Sequence, residues 1–318
     1  MYSLESLEAA AEIVHRSVTP TPAHCWPLLC ERLGTEVWVK HENHTPIGAF
    51  KVRGGLVYCS ELKTRQPDCP GIITATRGNH GQSIAFAARA QGLRAVVLVP
   101  RGNSVEKNAA MRAFGAELIE HGADCREARE QAGRLAAQEG LQFTGPFEEP
   151  LVRGVASYPL EFFRAQPDLD TVYVPIGMGS GICASIAARD ALGLKTRIVG
   201  VVAEQAAAYA LSFEAGEPIS TNSADTLADG LACRVPEPEA LAIIRGGAER
   251  IVQLSEEEIR AAMRAYYTDT HNLAEGAGAA ALAAALQERE KLKGQKVGLM
   301  LTGGNVDARV FREILADA

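Results

Sequence analysis

The sequence predicts an α/β fold in which parallel-rich sheets are flanked by helices. Two observations support this fold class. Short apolar segments rich in valine, isoleucine and leucine alternate along the chain with longer segments of helical periodicity. Glycine ends or links most of these segments, so the connections are short. The alternation is typical of parallel sheets with helices on their faces, because consecutive parallel strands need a crossover about as long as a helix.

The first alternating series follows an amphipathic helix predicted over 3–14. The segment 36–40 alternates polar and apolar residues as a strand does, the apolar segment 93–99 stops at Pro100, and the helical segment 124–139 ends before a glycine. The predicted strands of this series are 36–40, 71–75, 93–99 and 116–120, and its predicted helices are 83–90, 107–114 and 124–139.

A segment rich in proline and glycine, 144–150, precedes a second series and predicts a crossing between domains. In this series a capping box, Ser255-Glu256-Glu257-Glu258, predicts the start of a helix. The other predicted elements are strands at 172–176, 197–202 and 297–301 and helices at 182–191 and 278–287.

Composition excludes several classes of function. The chain has 318 residues, a net charge of -7 and 22% charged residues, with no basic patch, so a nucleic-acid role is not expected. No apolar run is long enough to cross a bilayer, and the first residues do not form a secretory signal. The seven cysteines are scattered without a CxxC pair, which favours reduced thiols in the cytoplasm and gives no support for a zinc site.

The residues around Lys51 are unusual for a surface lysine. It follows Gly48-Ala49-Phe50 and precedes Arg53 and two glycines. Small residues allow a planar group to approach the backbone, Phe50 offers an apolar wall, and a desolvated lysine beside a second cation loses preference for its charged form. Such an amine can form a Schiff base with a carbonyl compound. A surface lysine in a polar turn fits this segment equally well.

Three glycine-rich loops follow predicted strands, at 76–82, 177–181 and 302–305. Ligands of open parallel sheets bind outside the carboxyl ends of the strands, so these loops are candidates for one site. The loop 177–181 places backbone N–H groups at the start of a helix, as a phosphate site does, although a plain tight turn is the alternative. Its glycine spacing fits neither a Walker loop nor the dinucleotide fingerprint, which disfavours a nucleotide-binding protein.

Polar side chains in these loops suit an aromatic cofactor. Thr302 offers a hydroxyl that can hydrogen-bond a pyridine nitrogen without protonating it, and Asn79 and His80 place an amide and an imidazole at a strand exit. Turn formation and helix capping explain the same residues. Together with Lys51 and the loop 177–181, they indicate pyridoxal 5'-phosphate, which needs an amine, a phosphate site and a partner for its ring nitrogen.

Six short motifs follow one another along the chain: 42–43 with 48–54, 78–82, 177–181, 226–230, 275–278 and 302–305. With these motifs the sequence resembles the fold-type II pyridoxal-phosphate enzymes, in the branch of threonine and serine dehydratases and serine racemase. The resemblance covers nearly the whole chain and implies a tryptophan synthase β-like fold. It implies a large cofactor-binding domain, 1–55 and 148–318, and a small, mobile domain, 56–147.

The resemblance also implies roles for single residues. Lys51 would hold the cofactor through a Schiff base and act as the catalytic base at Cα, and Asn79 would hydrogen-bond the phenolic oxygen of the ring. The other cofactor contacts would be Phe50, Gly177, Met178, Gly179, Ser180, Gly181 and Thr302. The substrate would be bound by the loop that contains Thr76, Arg77, Gly78 and His80.

Three positions depart from the pattern of that branch. Arg77 replaces the serine that is the second base of serine racemase; a guanidinium stays protonated and is a poor base, but it could bind a carboxylate. The segment 153–158 replaces a Gly-Gln-Gly-Thr run, which predicts a pocket shaped for an unusual side chain. The cation site of serine racemase maps to Glu204, Ala208 and Ala210, and the last of these should be an acid, so no metal is expected.

The resulting hypothesis is a pyridoxal-phosphate-dependent carbon-oxygen lyase. This ammonia-lyase would convert a 3-hydroxy amino acid into a 2-oxo acid and ammonia by α,β-elimination. Threonine or serine is the expected substrate, and Arg77 with the segment 153–158 raises phenylserine and 3-hydroxyaspartate as alternatives. An amino-acid racemase and a non-catalytic binder of cofactor or amino acid are the competing functions. β-Replacement is disfavoured, because cysteine synthases have Asn-Thr in place of Asn79-His80.

The resemblance implies a homodimer. It also favours a role in amino-acid catabolism, because no room remains after residue 318 for the regulatory domain of feedback-inhibited threonine dehydratases. The expected partner is therefore a small amino-acid substrate in the cytoplasm, with no nucleic acid and no membrane.

Overall fold

The computed structural model describes residues 2–316. Its strands are β1 (Ala23–Cys25), β2 (Glu36–His41), β3 (Gly71–Ala75), β4 (Arg94–Val99), β5 (Glu117–Glu120), β6 (Gln142–Phe143), β7 (Thr171–Pro175), β8 (Arg197–Ala203), β9 (Ala248–Leu254) and β10 (Lys296–Leu301). Its α-helices are α1 (Leu4–His15), α2 (Pro27–Leu33), α3 (Lys51–Arg65), α4 (Asn79–Ala90), α5 (Val105–Ala113), α6 (Cys125–Glu139), α7 (Glu149–Val155), α8 (Ser157–Ala165), α9 (Ser180–Ala191), α10 (Ala208–Ala215), α11 (Pro238–Gly247), α12 (Glu256–Thr270), α13 (Gly276–Gln287) and α14 (Ala308–Ala316). Each predicted strand and helix is confirmed, with boundaries that differ by a few residues.

The strands form two sheets. The six-stranded sheet has the order β1-β2-β10-β7-β8-β9; β1 runs antiparallel to β2, and the other neighbouring pairs are parallel. The four-stranded sheet is parallel and has the order β5-β4-β3-β6. The predicted α/β fold with parallel-rich sheets is therefore confirmed. All strands of the smaller sheet fall within the segment 56–147.

The core lies on both faces of the larger sheet, because successive residues of a strand point to opposite sides. Tyr173 of β7 packs in one cluster with the alanines of α13, whereas its neighbours Val172 and Val174 pack in a second cluster with α8 and α9. The capping box at Ser255 forms both of its hydrogen bonds and starts α12. Along residues 2–316, no helix has the length and apolar character needed to cross a membrane.

Helix α3 is the element that the sequence pattern did not reveal around Lys51. A Cβ on Gly55 would lie 2.3 Å from Oγ of Ser83, and one on Gly54 would lie 2.7 Å from the carbonyl oxygen of Leu151. These glycines therefore let α4 and α7 pack directly against the backbone of α3. The interpretation that they make room for a ligand is wrong, and close helix packing is the physical reason for both.

Candidate active site

A cavity of about 1040 Å³ lies between the two sheets. Its wall includes residues from the loop after β3 in the smaller sheet and from the loops after β7 and β10 in the larger one. The structure thus brings the three glycine-rich loops together at the carboxyl ends of their strands. All of the candidate site residues line this cavity: Phe50, Lys51, Thr76, Arg77, Gly78, Asn79, His80, Gly177, Met178, Gly179, Ser180, Gly181 and Thr302.

Lys51 is the first residue of α3, and its amine points into the cavity. Its Nζ donates to Oγ of Ser180 at 2.9 Å and lies 5.2 Å from the centre of the Phe50 ring. Burial lowers the pKa of the amine to about 8. We expected Arg53 to be the second cation that weakens the charged form of Lys51, and this expectation is wrong. The Arg53 guanidinium points away from the cavity and is bound by Glu42 and Glu161.

The loop 177–181, which joins β7 to α9, is the candidate anion cradle. A Cβ on Gly177 would lie 2.1 Å from the carbonyl oxygen of Gly230, and Gly179 has a φ of +99°, so both positions need glycine. The hydroxyl of Tyr209 donates to the carbonyl of Met178 at 3.0 Å and fixes the loop. No described side chain caps the start of α9, which leaves N–H groups at the positive helix end available to an anion.

The loop after β3 carries a hydroxyl, a guanidinium and an imidazole, from Thr76, Arg77 and His80. The backbone N–H of Gly78 donates to Oγ1 of Thr76 at 3.1 Å, and Nδ2 of Asn103 donates to the carbonyl of Arg77 at 2.9 Å. These bonds fix the backbone while the Arg77 side chain remains exposed. His80 is buried, and this burial, with a contribution from Lys51, lowers the pKa of its imidazole to about 3. Its imidazole is therefore neutral.

Asn79 is held at both ends of its amide. Its Nδ2 donates to Oε1 of Glu275 at 2.6 Å, and its Oδ1 accepts from Nδ2 of Asn305 at 2.8 Å. Burial raises the pKa of the Glu275 carboxyl to about 7, against the lowering effect of Lys107. Thr302 is buried at the end of β10, and within residues 2–316 its hydroxyl has no hydrogen-bond partner.

Sequence reasoning missed several ionisable residues of the cavity wall, and three of them lie close together: Lys107, Asp229 and Glu275. Asp229 and Glu275 lie in two of the six motifs, 226–230 and 275–278. These motifs could therefore have identified both residues as site residues. No sequence motif pointed to Lys107, because the carboxylate that binds its amine, Asp229, is more than a hundred positions away in the sequence.

The segment 153–158 was predicted to shape the pocket, and this prediction is wrong. None of its residues is among those that line the described cavity. Arg153 pairs with Glu61 and Glu149, and Tyr158 packs edge-on against the far side of Phe50, with ring centres 5.8 Å apart. The segment packs against α3 on the side that faces away from the cavity, and it does not contact the space where a substrate would bind.

Comparison with known families finds a match over most of the chain. Residues 14–303 match a protein family that is described as "Pyridoxal-phosphate dependent enzyme". The chain is 36% identical over 287 residues to an L-threonine ammonia-lyase of Geobacter sulfurreducens, which covers 90% of this chain and 71% of that protein. It is 31% identical over 309 residues to an L-threo-3-hydroxyaspartate ammonia-lyase of Saccharomyces cerevisiae, which covers 96% and 94%.

Solved structures show the same architecture. The processed form of threonine deaminase isoform 2 from Solanum lycopersicum superposes with a TM-score of 0.91 at 27% identity, over 100% of this chain and 94% of that one. A maize serine racemase superposes with a TM-score of 0.92 at 26% identity, over 99% and 97%.

Proposed function

Because the chain belongs to the family of pyridoxal-phosphate dependent enzymes, we propose that it is an ammonia-lyase that acts on 3-hydroxy amino acids. The product would be a 2-oxo acid and ammonia, formed by α,β-elimination. The observation that carries this proposal is the 2.9 Å contact between the Lys51 amine and Ser180, because it places a reactive amine beside an anion cradle. Relatives that are ammonia-lyases of L-threonine and of L-threo-3-hydroxyaspartate support the reaction class.

The residues of the cavity fit pyridoxal 5'-phosphate. Lys51 would hold the cofactor covalently, the uncapped N–H groups of the loop 177–181 would bind its phosphate, and Asn79 and Thr302 would face its ring. The Nε2 of His80 is buried without a partner among the described residues and lines the same space. Bound there, the cofactor supplies an electron sink for negative charge at Cα of the substrate.

Lys51 would carry the proton. With a pKa near 8, a useful fraction of its amine is neutral close to neutral pH and can accept the proton from Cα. The electron pair of that C–H bond then drives out the β-hydroxyl, which takes up a proton and leaves as water. The aminoacrylate that remains is released and hydrolysed by water to the 2-oxo acid and ammonia. Thr302 offers the ring nitrogen a neutral hydroxyl in place of a carboxylate, and this partner favours elimination over transamination.

The substrate would contact the loop that contains Thr76, Arg77, Gly78 and His80. Threonine or serine is the expected substrate, and 3-hydroxyaspartate is the second candidate because of Arg77. The side chain of Arg77 lines the cavity and, within residues 2–316, forms no ion pair with a carboxylate. It lies close enough to Cys125 to oppose the rise that burial causes in the pKa of that thiol. A guanidinium in such a position can bind a second carboxylate.

Replacing Arg77 with alanine is expected to lower kcat/KM for 3-hydroxyaspartate by about 10- to 100-fold, the usual contribution of a charged hydrogen bond. Threonine lacks the second carboxylate, so its kcat/KM should change less than about threefold. Arg129→Ala is the matched control, since Arg129 lines the same cavity but stacks over the Phe143 ring at 5.8 Å. Equal losses for the two substrates would assign Arg77 a structural role.

The reaction class is tested with purified holoenzyme and a panel of amino acids. L- and D-serine, L- and D-threonine, phenylserine and 3-hydroxyaspartate are supplied in turn, and ammonia and 2-oxo acid are measured. Turnover of at least one supports the lyase. If no amino acid of the panel releases ammonia or 2-oxo acid while the cofactor stays bound, the lyase proposal is overturned in favour of a racemase or a non-catalytic binding protein. A racemase is disfavoured, because Arg77 is a poor second base.

The segment 56–147 is proposed to move as a small domain that closes over the substrate. The four-stranded sheet lies wholly within this segment, and the loop with Arg77 and His80 is attached to it, which supports the division.

A homodimer in the cytoplasm that binds a small amino acid and no nucleic acid is the proposed working state. The free thiols of all seven cysteines agree with a reducing compartment, and the net charge of -7 disfavours nucleic acid as a partner.

A further inference from the structure

The cavity wall contains a buried lysine that the proposed reaction does not use. Lys107 lies on α5, beside the four-stranded sheet, and its Nζ is 2.5 Å from Oδ2 of Asp229 and 3.9 Å from Oε2 of Glu275. Both carboxylates belong to the part of the chain that carries the six-stranded sheet. One ammonium therefore links the two sheets across the cavity.

We propose that Lys107 is a positioning residue that holds three parts of the cofactor site in one arrangement: the loop 76–80, the amide of Asn79 and the loop 177–181. The proposal rests on the function proposed above. Lys107 acts through the groups that it contacts and does not itself react.

Each of the three parts is connected to Lys107 by contacts. A Cβ on Gly78 would lie 2.6 Å from Cδ of Lys107, so the lysine stem packs directly on the backbone of the loop 76–80. Glu275, the more distant carboxylate, accepts the hydrogen bond from Asn79 at 2.6 Å. Asp229 is followed by Gly230, and the backbone of Gly230 packs closely against Gly177 of the loop 177–181. A displacement of Lys107 therefore reaches all three parts.

The charge of Lys107 also affects the state of Glu275. Among the described residues, the charged groups that face Glu275 are Lys107 from α5 and Asp229 from the 229–231 turn, while Asn79 of α4 donates a hydrogen bond to it. Lys107 favours the carboxylate, whereas burial and Asp229 favour the neutral acid. Without Lys107 the neutral form persists to higher pH, and a neutral carboxyl holds the Asn79 amide less strongly.

The test is Lys107→Met in the holoenzyme, because methionine keeps most of the length of the stem and removes the charge. The midpoint of the acidic limb of kcat/KM is expected to rise by about one pH unit or more. The rate of pyridoxal phosphate release into buffer, followed by absorbance, is expected to rise about tenfold, since one partner of a partly buried ion pair is lost. Lys107→Arg retains the cation and should return the acidic limb toward that of the parent.

Lys293→Met is the control, because Lys293 forms a surface ion pair with Glu290, at 2.6 Å, far from the cavity. A release rate and an acidic limb for Lys107→Met that match this control would overturn the proposal. If Lys107→Met does not fold, Asp229→Asn decides the matter: faster cofactor release supports the link, and an unchanged rate overturns it. The release rate tests Lys107 even if no amino acid is turned over, so a failure of the proposed lyase function is distinguishable from a failure of this inference.

Discussion

Replacing Lys51 with alanine is expected to lower kcat for ammonia release by about 10³-fold or more, because the amine is both the proposed cofactor attachment and the proposed base. No other amine can replace it. Within the described chain the cavity wall contains one further lysine, Lys107, and its ammonium is held 2.5 Å from Asp229. The visible absorption of the bound cofactor is expected to change together with the loss of activity.

Lys63→Ala is the matched control for this variant. Lys63 lies on the same helix, α3, but is partly exposed near its far end and donates to the carbonyl of Pro67. Its removal should leave kcat and the absorption spectrum within about twofold of the parent, as is usual for surface substitutions. If Lys51→Ala retained both turnover and the parent spectrum, the assignment of the amine would be wrong and another nucleophile would have to be found.

The sequence predicts most of the fold because the signals for its strands and helices are local. A strand such as β4 contains five consecutive apolar residues before a proline, and α6 ends at a glycine with a φ of +66°. The starts of α4 and α9 were placed too late, because each helix has a glycine within its first turn, Gly81 and Gly181. Glycine weakens the helical pattern at the two starts where candidate site residues lie.

The parts of the site that escaped prediction depend on distant contacts. The contact between Lys107 and Asp229 joins residues 122 positions apart, and that between Asn79 and Glu275 joins residues 196 positions apart. No spacing rule along the chain encodes such a pair. The segment 153–158 failed for a related reason: its departure from the family pattern was visible, but which side of Phe50 it would occupy was not.

Replacing Arg53 with methionine is expected to lower the free energy of unfolding by about 3–5 kcal/mol, because it removes one partner of a fully buried ion pair. Both Arg53 and Glu42 have no exposed side-chain surface, and their atoms Nε and Oε2 are 2.7 Å apart. The guanidinium also donates to Glu161 at 2.6 Å. Lys40 can still neutralise Glu161, at 2.5 Å, but among the described residues the Glu42 carboxylate would keep only the hydroxyl of Thr21 as a hydrogen-bond partner.

Urea unfolding of the apoprotein measures this loss without a contribution from bound cofactor. Arg94→Met is the control: Arg94 also pairs with two carboxylates, Glu117 and Glu139, but its side chain is 40% exposed. Surface pairs contribute about 1 kcal/mol or less, so this variant should lose far less stability. Similar losses for the two variants would show that the buried network contributes no more than a surface one.

The double variant Arg53→Met with Glu42→Leu separates two sources of the expected loss. If the cost comes from a carboxylate left buried without a cation, removing Glu42 as well should restore part of the stability, since apolar pairs can replace buried ion pairs at little cost. If the cost comes from lost packing around α3, the double variant should be no more stable than Arg53→Met. Arg53 lies in the first turn of α3, two residues after Lys51, so we expect this network to help hold the proposed catalytic amine in place.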